Sequence, residues 1–98
     1  MAGGFQQVLY TRTFERDAKR LDALQRAALA ACIEDLQRDP IPDARRFHRV
    51  NDKRPKVYTV DLFTHCTTHK VSLHVDDEDR TRVILRRVGT HKEIDRMP

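Results

Sequence analysis

The stretch Arg86-Arg87-Val88-Gly89-Thr90-His91-Lys92-Glu93 holds residue types suited to phosphate chemistry. Thr90 and Glu93 stand in the T-x-x-E spacing of a capping box, in which each side chain caps a backbone N–H at a helix start. That spacing puts His91 at the first helical position, beside the positive end of the helix dipole, where an imidazole is expected to accept a proton. The apolar run Val83-Ile84-Leu85 just upstream reads as a strand, and Gly89 reads as the break in its extended pattern. An imidazole beside the fixed cations Arg86 and Arg87 is a combination that phosphodiester cleavage can use.

Those residues must be held by a small scaffold. Ninety-eight residues make one domain, 1–98, with room for one modest core. No run approaches the roughly 20 apolar residues of a membrane span, so no membrane partner is expected. The first residues lack the basic and apolar regions of a signal peptide, which points to the cytoplasm. Two cysteines, Cys32 and Cys66, are too few for a disulfide framework and are expected as thiols.

Helical spacing runs through Phe14, Ala18 and Leu21, then Leu24, Ala28, Cys32 and Ile33, with a slip of phase at Asp22. A helical hairpin and one long helix both fit, with Thr11 or Thr13 as the first N-cap. A short strand over Phe5–Tyr10 precedes this region, and Asp39-Pro40-Ile41-Pro42 ends it. The period then becomes two. Arg46–Val50 reads as a strand and Asn51–Pro55 as a turn. Val57–Phe63 follows with Tyr58, Val60 and Leu62 inward. His65–His69 reads as a polar connection, and Lys70–Val75 as a strand with Val71, Leu73 and Val75 inward. Asp76–Asp79 is an acidic hairpin loop leading into Arg82–Val88. This order predicts an α+β fold: a first strand and a helix or helical hairpin packed on one face of a small antiparallel sheet.

The net charge is +4, and its distribution says more than its size. Arg45, Arg46, Arg49, Lys53, Arg54 and Lys56 face the single acid Asp52, the footprint of a nucleic acid or an acidic protein partner; a solvated loop flank is the bland alternative.

Taken together, the Phe14–Leu21 helix start, the Tyr58–Leu62 and His69–Leu73 strands and the Val83–His91 ending resemble the RelE/ParE superfamily of small toxins from bacterial toxin–antitoxin pairs. The resemblance covers nearly the whole chain, and the Gly89-Thr90-His91 ending looks most like the YafQ-type ribosome-dependent mRNA interferases. It implies an endoribonuclease acting on mRNA at the ribosome. It further implies a cognate antitoxin that neutralises the chain, and operator DNA bound only by the toxin–antitoxin complex. The family's histidines match His91 and His65, a second acid/base position falls at His69, and a cationic one at Lys70. The aromatic that family members carry near the C-terminus is missing, with Phe63 as the nearby substitute.

On this reading RNA is cut without a cofactor: the 2′-OH attacks the phosphate, leaving a 2′,3′-cyclic phosphate and a 5′-OH. His91 and either His65 or His69 transfer protons. Lys70 with Arg86 or Arg87 holds the phosphate, and adjacency in a strand lets at most one of the arginines face the site. Asp61 orients a histidine, while Arg45, Arg46, Arg49, Lys53 and Lys56 track the RNA. His48 and His74 read as solvent-facing strand residues. His65-x3-His69 and Cys66-x2-His69 lack a second ligand pair, so no metal is expected. Two other functions fit the same chain: a ParE-type toxin that inhibits DNA gyrase by binding, needing no acid/base residues, and a plain protein-interaction module.

Overall fold

The computed structural model describes residues 4–50 and 56–98. In chain order the elements are β1 (Gln7–Tyr10), α1 (Arg12–Lys19), α2 (Ala23–Leu36), a 3-10 turn (Asp43–Arg45), β2 (His48–Val50), β3 (Val57–Phe63), β4 (Cys66–Val75), β5 (Arg82–Thr90) and α3 (His91–Arg96). The five strands form one sheet in the order β1-β5-β4-β3-β2. Its hairpin-linked strands are antiparallel, and β1 joins the edge of β5 in parallel. The α+β expectation therefore stands with one exception: the sheet is mixed at β1, because α1 and α2 carry the chain away before its later strands form.

Local chemistry explains the helix boundaries. Thr11 caps α1 by accepting from the Phe14 N–H. The phase slip at Asp22 is a true break: Asp22 is the N-cap of α2 and forms a reciprocal capping box with Gln25. α1 and α2 lie on one sheet face, where Phe14, Leu29, Cys32 and Leu36 pack with Val60, Leu62, Val71, Leu73, Val83 and Leu85. Burial pushes the Cys32 thiol up to about 11, the behaviour of a core residue and not of a nucleophile.

The opposite sheet face is less open than strand alternation suggests. Val57, Thr59 and Ser72 are buried there, as is Ile94 of α3, and α3 contacts β4 and β5. A six-residue helix thus covers part of β4 and β5 that a bare alternating pattern would leave to solvent, while Thr59 of β3 meets His48. Two other expectations shift. The β3–β4 connection is a two-residue turn at Thr64 and His65, and Cys66–His69 continue the β4 strand instead of forming a polar loop. β2 is three residues long, because the Asp43–Arg45 turn consumes the segment before it. The turn expected at Asn51–Pro55 lies outside the described residues. Among the described residues, no helix is long and apolar enough to cross a membrane.

Candidate active site

The capping box at the end of β5 forms as its spacing requires. Thr90 Oγ1 accepts from the Glu93 N–H at 3.3 Å, and Glu93 Oε1 accepts from the Thr90 N–H at 2.9 Å. These bonds, backbone first, hold the Glu93 carboxyl below its usual range. Gly89 does not break the strand, since β5 continues to Thr90. It supplies space instead: a Cβ there would stand 2.7 Å from Glu93 Oε1, in the way of the cap.

His91 is therefore fixed as the first residue of α3, and it opens onto a shallow cleft of about 270 Å³ lined by Arg46, His48, Asp61, Thr67, Lys70 and His91. The cleft gathers residues from β2, β3, β4 and α3. Asp61 and Lys70 face one another in the β3–β4 register. Lys70 is nearly enclosed, its side chain 11% exposed, with Nζ 3.7 Å from Asp95 Oδ1. His91 Nδ1 lies 3.0 Å from Asp95 Oδ2, an i,i+4 ion-pair contact within α3. The buried Asp61 carboxylate is 3.8 Å from Arg46 Nε.

The carboxylate beside His91 is Asp95, one helical turn beyond it, while Asp61, expected to orient a histidine, lies against Arg46. The signal was present in the sequence, because residues i and i+4 share a helix face.

His48 joins the cleft although its strand position suggested an ordinary surface residue. Arg46, at φ 54°, ends the 3-10 turn in the left-handed region, a conformation uncommon for a non-glycine residue. Its carbonyl accepts from His48 Nδ1 at 2.6 Å, and the Thr59 hydroxyl meets His48 Nε2 at 3.2 Å. With Nδ1 donating, Nε2 is the acceptor for that hydroxyl.

The other named residues are placed elsewhere. His69 meets Gln25 of α2 at 3.3 Å and Thr68 at 3.0 Å, and it lines a different recess with Asp17, Arg20 and Glu93. His65 is exposed in the β3–β4 turn and stacks edge-on with Phe63. Arg45 is buried, and its guanidinium bonds Asp35 Oδ2 at 2.8 Å and the carbonyls of Asp61 and Leu62 at 3.1 and 2.8 Å; those contacts make it a brace between α2 and β3, with no free face for RNA. Arg49 and Lys56 are exposed, and Lys53 lies outside the described residues.

Arg86 and Arg87 straddle a bulge. Ser72 pairs with Arg87 and Leu73 with Leu85, leaving Arg86 as the extra residue. Arg87 turns to α1 and bonds both Asp17 oxygens, Nε to Oδ2 at 3.0 Å and Nη2 to Oδ1 at 3.3 Å. Arg86 contacts His74 Nδ1 at 3.3 Å and lines a separate cavity of about 590 Å³ with Thr11, Thr13, Arg87 and Arg96. The opposite-face argument for these arginines therefore gives way to the bulge, and neither is among the described lining residues of the His91 cleft. Among the described residues, no group of three or more His, Cys, Asp or Glu side chains is placed to hold a metal ion.

No protein-family model and no curated protein sequence matches the chain. Solved structures do. The chain is similar to the RelBE2 toxin–antitoxin complex of Mycobacterium tuberculosis at 23% identity and a TM-score of 0.68, over 93% of this chain and 95% of that one. It is similar to the DinJ-YafQ complex of E. coli at 16% identity and a TM-score of 0.63, over 91% and 98%. A free-state mutant of the E. coli toxin RelE matches at 16% identity and a TM-score of 0.65, over 100% of both chains. The chain has the RelE-type toxin fold.

Proposed function

We propose that this chain is the toxin of a type II toxin–antitoxin pair and that it cuts mRNA at the cleft of Arg46, Asp61, Lys70 and His91. The observation that carries this reading is the cleft itself: an imidazole, a nearly enclosed lysine and an arginine meet on one wall of a RelE-type fold. That combination serves attack of the 2′-OH on the adjacent phosphate. A base takes the 2′-OH proton, O2′ bonds to phosphorus, the P–O5′ bond breaks, and O5′ takes a proton. Products are a 2′,3′-cyclic phosphate and a 5′-OH. His91 is one proton-transfer residue, and His48 is the second imidazole of the cleft. Lys70 and Arg46 stabilise charge that develops on the phosphoryl oxygens. The ribosome presents the mRNA, the likeness to toxins solved in toxin–antitoxin complexes supports a cognate antitoxin as the neutralising partner, and operator DNA is bound only by the toxin–antitoxin complex.

Induction of the chain in bacterial cells, with mapping of mRNA 5′ ends, tests this. New in-frame ends are expected with the wild type and none with His91→Ala. Growth arrest with intact mRNA, insensitive to that substitution, would instead fit a toxin that binds DNA gyrase.

A further inference from the structure

We propose that the cavity between the start of α1 and the end of α3 binds a phosphate group, held by Arg86 and Arg96 with the Thr13 hydroxyl. It encloses about 590 Å³ and shares no lining residue with the His91 cleft. Arg86, Arg87 and Arg96 line it with Thr11 and Thr13, and no Asp or Glu among the described residues does. Arg87 is neutralised from α1, where it bonds both Asp17 oxygens. Among the described residues, Arg86 and Arg96 form no ion pair with Asp or Glu. The bulge in β5 sets the aim of Arg86. Its half-buried guanidinium makes only long contacts: Nε donates to the Pro98 carbonyl at 3.3 Å and Nη1 to His74 Nδ1 at 3.3 Å. Arginine cannot accept, so the ring nitrogen is the acceptor. Burial first, and then the Arg86 charge, hold His74 below its usual range and so favour that neutral ring. A guanidinium partly withdrawn from water without an anion is unfavourable, and a bound anion relieves it. Thr11 is spent on the α1 cap and the Arg86 carbonyl, whereas the Thr13 side chain is exposed at the cavity. Phosphate suits this set better than a carboxylate does. The arginine fork takes two oxygens, and phosphate keeps others for Arg96 and Thr13.

Because the two sites share no residue, phosphate binding here is independent of whether the cleft cuts RNA. The labelled full chain is titrated with inorganic phosphate at constant ionic strength, with chloride as the matched control. The Arg86 and Arg96 Nε–H signals and the His74 ring signals are followed. Saturable shifts at these groups are expected with phosphate and not with chloride. Arg86→Gln and Arg96→Gln are each expected to weaken binding about 10-fold. Arg80→Gln makes the same charge change at an exposed position outside the cavity and is expected to change it less than about twofold. Arg96 is exposed, so its variant tests the site even where Arg86→Gln loosens the bulge. A DNA oligonucleotide, which lacks the attacking 2′-OH, distinguishes the sources of the phosphate. Displacement of phosphate from Arg86 assigns the site to a nucleic-acid backbone, and retention assigns it to free phosphate or a small phosphate ester. Equal shifts in chloride, or binding weakened as much by Arg80→Gln as by Arg86→Gln and Arg96→Gln, overturn the proposal. Saturation by a glutamate-rich peptide with no response to phosphate also overturns it, in favour of an acidic protein segment.

Discussion

Two neighbouring arginines show how far residue type alone misleads. Arg45 and Arg46 belong to the same basic cluster in sequence, yet Arg45 is buried against Asp35 and two backbone carbonyls while Arg46 reaches the cleft. The left-handed backbone at Arg46 separates them, and composition holds no sign of it. Arg45→Ala is expected to cost about 3 kcal/mol in urea unfolding, since it strands Asp35 and two carbonyl acceptors, whereas Arg49→Ala at an exposed strand position should stay within about 0.5 kcal/mol. His91 was legible because T-x-x-E is a local signal. His48 was not, because its place depends on the turn that Arg46 completes. At the site, Lys70→Ala should reduce RNA cleavage by about 100-fold with little change in melting temperature, as expected for a cation that acts on developing charge.

Elements follow from the sequence wherever a cap or a period announces them, and not where pairing between distant strands decides. Thr90 caps α3 as its T-x-x-E spacing implies, Thr11 rather than Thr13 caps α1, and the phase slip at Asp22 is the N-cap of α2. The bulge at Arg86 and the parallel seat of β1 arise only when β5 meets both neighbours. Asp17 secures that junction. Burial alone would push its carboxyl up, but hydrogen bonds from Arg87, Arg20 and the Val88 N–H outweigh it and hold the group below its ordinary range. The sign follows from the depressed value. The stabilisation is fully present above the unfolded pKa of about 4 and is lost as the pH falls through the folded value. Asp17→Asn should therefore cost about 2 kcal/mol at neutral pH, and its stability gap from wild type should close in acid. A gap constant from pH 7 to pH 2 would contradict this account of the β5 junction.

At the scale of the whole molecule, the order of strand, two helices and a run of strands already implied helices packed on a small sheet. The other sheet face is not left to solvent, because α3, a helix of six residues, packs its buried Ile94 against β4 and β5. The cleft's walls follow from that placement: His91 comes from the covering helix, Arg46 and His48 from the far edge of the sheet. His65 and His69, near in sequence to Lys70, leave it in other directions. Cutting of RNA by this cleft through His91 is tested by the end chemistry of a defined mRNA incubated with purified chain and ribosomes. The expected ends are 2′,3′-cyclic phosphate and 5′-OH, and they disappear with His91→Ala. Ends bearing a 5′-phosphate and a 3′-OH, or cutting undiminished in His91→Ala, would contradict it.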